Sequence, residues 1–166
     1  MKTYMPRILD KELEQKLKII GCVLIEGCKW CGKSTTARRH AKSILELQNV
    51  DDKAKFDLIA KTKPSLFLEG EKPLLIDEWQ MYPVVWDAIR HDVDKSGLQG
   101  EYILTGSATP NEGTTMHSGI GRIARILMRP MSLYESEESD GMISLKDLFD
   151  KKNISATKAN VTLDDI

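Results

Sequence analysis

Eight consecutive residues restrict this chain more than any other stretch: Gly27-Cys28-Lys29-Trp30-Cys31-Gly32-Lys33-Ser34. They fit the pattern G-x-x-x-x-G-K-[ST]. Their flanks are those the pattern needs, an apolar run at 19–25 before and a helix-like segment opening at Thr35 after. Each residue type has a physical reason. Glycines let the backbone turn its N–H groups inward around phosphate oxygens, and the helix N-terminus that follows adds the positive end of a dipole. The Lys33 ammonium then reaches the β- and γ-phosphates, and the Ser34 hydroxyl ligates Mg2+. A Gly-rich turn that matches by chance is the competing reading, and the strand and helix flanks argue against it.

The 166 residues suffice for one domain with a core, and 41% hydrophobic with 30% charged residues is the balance of a globular protein. A formal charge of −1 gives no global field favouring nucleic acid or an anionic membrane. The longest apolar run, ending at Ile25, is far too short to span a bilayer, and the first fifteen residues lack the apolar centre of a signal peptide. The expected location is the cytoplasm. Three cysteines, Cys22, Cys28 and Cys31, are an odd count that speaks against a disulfide framework. Cys28 and Cys31 form a C-x-x-C without the second pair a zinc site needs. A loop rich in inward N–H groups lowers a thiol's pKa, so a redox role stays open beside the plainer one of small residues in a tight loop.

Along the chain, Leu9, Leu13 and Leu17 recur every four residues as a short amphipathic helix. The apolar run 19–26 reads as a strand buried on both faces, as in a parallel sheet. Residues 35–47 read as a helix with Ala37, Ala41, Ile44 and Leu45 inward and Arg38, Arg39 and Lys42 on solvated faces. A short second strand is expected at 48–50, and a helix over 53–61 stopping before Pro64. Leu74-Leu75-Ile76-Asp77-Glu78 is the second chemical landmark, an apolar strand ending in two acids. In P-loop NTPases an Asp at that point helps hold Mg2+, and a neighbouring Glu78 is placed to orient an attacking water. A helix follows from Pro83 to a stop near Gly97.

Residues 102–107 form a further strand ending in Thr105 and Ser107, hydroxyls that either sense the γ-phosphate or satisfy the strand terminus. The Gly-, Thr- and Pro-containing stretch 108–121 is a mobile loop by composition, and 122–128 is the last strand. Arg122 and Arg125 are candidates for an arginine that stabilises transition-state charge on the γ-phosphate. Residues 131–138 enter a possible helix, and Ser144 caps another short one. The expected division is an ATPase domain over 1–150 and a polar tail or linker over 151–166.

The segments GCKWCGKSTTA, LLIDEWQ, YILTGSATP, HSGIGRIARILMRPMSLYES and SLKDLF together resemble the prokaryotic AAA-type ATPases that carry a C-terminal domain of nuclease-like fold. The resemblance implies an α/β three-layer sandwich with about five parallel strands in the order 5-1-4-3-2 and ligands at their carboxyl ends. It implies ATP and Mg2+ as ligands, Gly32, Lys33 and Ser34 as phosphate and metal residues, Asp77 as metal partner and Glu78 as the hydrolytic acid. Arg122 falls on the arginine of the family's G-R motif. The chain departs from many AAA ATPases where Thr105 and Ser107 stand in place of an Asn, and residues 161–166 look like the opening of the second domain. The implied activity is ATP hydrolysis, with a homo-oligomer able to supply an arginine in trans. A kinase of a small acceptor and a nucleotide-gated interaction module with little turnover are the alternatives.

Overall fold

Strand β1 (Cys22–Gly27) is so uniformly apolar that it has to be covered on both sides, and its pairing shows how. In the computed structural model, which describes residues 4–106 and 119–150, β1 lies between β4 (Tyr102–Gly106) and β5 (Ile123–Met128), parallel to both. Strand β3 (Leu74–Asp77) pairs with β4, and β2 (Ser43–Glu46) pairs with β3. The five-stranded parallel sheet has the order β2-β3-β4-β1-β5, which is the expected 5-1-4-3-2 read from the other edge.

Alternate residues of each central strand enter opposite cores. Cys22, Leu24, Leu74, Ile76, Tyr102 and Leu104 join one buried cluster with Phe56, Phe67, Trp79, Trp86 and Ile89. Val23, Ile25, Leu75 and Ile103 join the other, with Leu9, Leu13 and Ala37. The first cluster is built under α3 (Lys53–Thr62), a short 3-10 turn (Pro64–Leu68) and α4 (Val84–Ser96). The second is built under α1 (Ile8–Leu17) and α2 (Lys33–His40). Helix α4 starts after Pro83 and ends on Gly97, whose left-handed φ of 65° lets its N–H return to the Val93 carbonyl. None of the helices among the described residues is long and apolar enough to cross a membrane.

The structure corrects the segment after the phosphate-type loop. The helix expected over 35–47 is only eight residues long, ending at His40, and the second strand is 43–46 rather than 48–50. Ala41 is already extended, the Lys42 N–H donates to the Pro73 carbonyl (2.9 Å) and the Leu47 N–H to that of Asp77 (3.3 Å). Pairing with β3 satisfies more backbone than another helical turn would, and it turns Leu45 towards the core and Ile44 towards solvent. Residues 49–52 are instead a turn closed by the Asn49 side chain, which accepts from the Asp51 N–H and donates to Asp52.

Two compact units are distinguishable, Leu9–Pro130 with the sheet and a second made of Met1–Ile8 with Met131–Ile166. In the second, Glu135 accepts from the Ile8 N–H (2.9 Å), from Arg7 Nε (3.0 Å) and from the Ser132 N–H (2.8 Å). Residues 133–137 are turns rather than the helix expected over 131–138. Ser144 caps α5 (Leu145–Phe149) as expected, its Oγ accepting from the Asp147 N–H at 3.1 Å. The tail 151–166 lies outside the described residues.

Candidate functional site

The strand register brings the two sequence landmarks to one edge. Glu26 stands opposite Gly106 and Gly27 opposite Met128 at the carboxyl ends of β4, β1 and β5, and Asp77 ends β3 opposite Glu46 of β2. From there residues 28–32 turn the chain into α2. Gly27 has to be glycine, since a Cβ on it would lie 2.3 Å from the Met128 carbonyl oxygen. Gly32, at φ 99°, makes the left-handed step that starts α2. Trp30 takes a positive φ of 69° without being glycine, which leaves its indole 92% exposed at the loop's tip beside exposed Cys28 and Lys29.

Lys33 is buried, and its Nζ donates to the carbonyls of Gly27 (3.1 Å) and Cys28 (2.8 Å). The ammonium therefore folds back across the loop that a phosphate would enter. Ser34 Oγ donates to Asp77 Oδ1 at 2.7 Å, and Thr35 is exposed on the first turn of α2. Asp77 is almost wholly buried; the same Oδ1 accepts from Thr105 Oγ1, while Arg38 Nη2 lies 3.9 Å from Oδ2 and also pairs with Glu46. The Thr105 hydroxyl accepts in turn from the Glu78 N–H at 3.1 Å. One hydroxyl thus fixes both acids. Glu78 itself is held at φ 57°, a left-handed conformation worth about 1–3 kcal/mol of strain in a non-glycine residue, and its carboxylate accepts from Gln80 Nε2.

A hydroxyl and a buried carboxylate at hydrogen-bond distance form a hard oxygen donor set of the kind Mg2+ takes, and the residues present fit that ion. The other candidates divide. Ser107 lies outside the described residues. Arg122 precedes β5, whose first residue pairs with the first of β1, so it sits at the opposite edge of the sheet from the loop. There its Nε donates to Asp94 of α4 at 2.5 Å and holds that carboxyl below its usual range. Arg125 pairs midway along β5, donates to Glu26 at 3.0 Å and lies over the Trp86 ring. Of the two candidate arginines, Arg122 thus lies away from the loop of its own chain, and Arg125 is paired with Glu26 at the end of β1.

The cysteines are all free. Burial raises the Cys31 thiol above its ordinary pKa despite the nearby Lys33 charge, so the lowering expected from the loop's N–H groups is outweighed. Among the described residues no group of three or more His, Cys, Asp or Glu could hold a metal ion by itself.

Sequence reasoning missed two residues of this edge. Arg38 is exposed, as expected, yet it also lies one helical turn beyond Ser34, the spacing that brings its guanidinium within 3.9 Å of Asp77. Gln80 carries the signal of standing two residues after Glu78. A family model described as AAA domain matches residues 21–137. No curated protein matches the chain.

Proposed function

The chain belongs to the AAA-domain family of P-loop ATPases, and on that premise we propose that it binds ATP with Mg2+ and hydrolyses it to ADP and phosphate. The observation that carries this reading is the convergence of Lys33, Ser34, Asp77 and Glu78 on one carboxyl edge, with Ser34 and Asp77 already in contact. The loop N–H groups bind the phosphates, and Lys33 leaves the Gly27 and Cys28 carbonyls to meet the β- and γ-oxygens. Ser34 and Asp77 hold Mg2+, which when bound neutralises charge developing on the phosphates. Glu78 orients the attacking water and takes its proton. Thr105 keeps Asp77 and Glu78 at a fixed separation, so the fourth-strand hydroxyl serves the acids rather than a sensing Asn.

The arginine in this reading comes from a second copy of the chain, because Arg122 is remote from its own loop. The ATPase domain in this reading is residues 1–150. Phosphate release from ATP by the purified chain, with Mg2+ and with it chelated, tests the proposal. Equal release in both conditions, or none with Mg2+ at any protein concentration, overturns it.

A further inference from the structure

Immediately after Glu78 the chain makes a 3-10 turn (Trp79–Met81), and two of its polar atoms are buried with no hydrogen-bond partner among the described residues: the indole Nε1 of Trp79 and Oε1 of Gln80. Both face one spot. A Cβ placed on Gly106, the last residue of β4, would be 3.0 Å from each. The two atoms are then no farther apart than twice that distance, within the reach of one bridging water. Their chemistry is complementary, since an indole nitrogen only donates and a carboxamide oxygen only accepts.

The orientation of Gln80 follows from its other end. An ionised carboxylate accepts only, so the carboxamide nitrogen has to face Glu78 and the oxygen has to turn towards Gly106. Trp79 cannot turn away, being 1% exposed and packed on Trp86 with ring centroids 4.9 Å apart. A buried donor and a buried acceptor thus meet beside a residue without a Cβ.

We infer that Gln80 is a positioning residue for Glu78, held in its working orientation by a single water seated between Trp79 Nε1, Gln80 Oε1 and Gly106. The water donates to the carboxamide oxygen and accepts from the indole, which prevents the amide from flipping and presenting its oxygen to the carboxylate. Glu78 then keeps one rotamer while it handles the attacking water. Gly106 is glycine because a methyl group there would occupy the seat. The positioning role rests on the hydrolytic reading above, whereas the seat itself does not.

Two measurements on the whole 166-residue chain test it. In 15N-labelled protein, the indole N–H signal that Trp79→Phe removes should show cross-relaxation to a long-lived water, and Gly106→Ala should abolish that transfer. An indole with no water transfer, or transfer unchanged in Gly106→Ala, overturns the seat. In phosphate release, Gln80→Leu and Trp79→Phe should each lower kcat about tenfold or more with nucleotide Kd within about twofold, since positioning of one group supplies that order of the rate. Trp79→Phe removes the N–H with part of the indole and keeps an aromatic ring in the core, so it is the second variant if Gln80→Leu does not fold, its fold checked by the unfolding midpoint. Unchanged kcat, or a loss confined to Kd, overturns the positioning role. A wild type without turnover overturns the hydrolytic reading and the positioning role together, and the indole signal then judges the seat alone.

Discussion

Ser34 and Asp77 are 43 residues apart in the chain and 2.7 Å apart in the fold, the hydroxyl at the start of α2 donating to the carboxylate at the end of β3. The contact exists because β1 and β3 are parallel and both end at the same edge.

Replacing Lys33 removes the ammonium that caps the loop and, in the proposed reading, meets the phosphates. Lys33→Ala should weaken ATP binding about 100-fold or more, equivalent to ~3 kcal/mol for lost charged hydrogen bonds. Isothermal calorimetry reads this directly, and retained affinity removes Lys33 from the site.

Glu78→Gln keeps the size and the backbone of the residue but cannot take a proton. Nucleotide affinity should stay within about twofold, while turnover falls about 100-fold or more, the range of a general base. Steady-state phosphate release combined with calorimetry separates the two quantities. Unchanged turnover excludes Glu78 from the mechanism.

Thr105 is fully buried and shares its hydroxyl between Asp77 and the Glu78 N–H. Thr105→Val preserves the shape and leaves both groups one partner short, a loss of about 1–3 kcal/mol. Thr105→Ser should retain most of the stability. Urea unfolding of the three proteins compares them, and equal midpoints for Val and Thr contradict the clamp.

An arginine acting between subunits leaves a signature in mixtures. Arg122→Ala lacks the donor but has an intact loop, and Lys33→Ala has the reverse defect. If a neighbour supplies Arg122, mixing the two inactive variants should restore about a quarter to a half of wild-type turnover in a ring or dimer of mixed subunits. No recovery at concentrations where the chain self-associates dismisses the trans arrangement for Arg122.

Stability should also depend on pH through Glu135. Burial by itself would raise this carboxyl, but hydrogen bonds from the Ser132 and Ile8 N–H groups and from Arg7 and the Ser132 hydroxyl bring it down to about 2 from an ordinary 4.5. A folded pKa below the unfolded one gives stability that is complete above the unfolded value and is lost as pH falls through the folded one. The unit built on Arg7 and Glu135 should therefore weaken between about pH 5 and pH 2, and Glu135→Gln should flatten that part of the profile. Thermal melts across the window, wild type against variant, provide the check.

Much of this edge is legible in the sequence because it is local. The glycine spacing at 27 and 32, the Lys33-Ser34 pair and the acids after 74–76 each follow from the chemistry of neighbouring residues. Sheet order came through resemblance, and the structure bears it out. What is not legible depends on partners distant in sequence. Ile44 and Leu45 fit a helix stripe equally well, and only the β3 backbone makes them a strand. Which end of the sheet Arg122 occupies follows only from the register of β5 against β1, and no local pattern carries it. The helix periodicity put Arg38 on a solvated face without saying that β3 would bring Asp77 to that face.

All four residues of β3 are buried, and the strand is hydrogen-bonded on both sides, whereas the tip of the phosphate-type loop is exposed. Amide hydrogen exchange should follow that contrast. Protons of residues 75–77 leave only through the global opening of the domain, while those of 28–31 leave through local fluctuations costing far less. The two halves of the site consequently belong to different cooperative units, one that a nucleotide can reshape and one that it cannot.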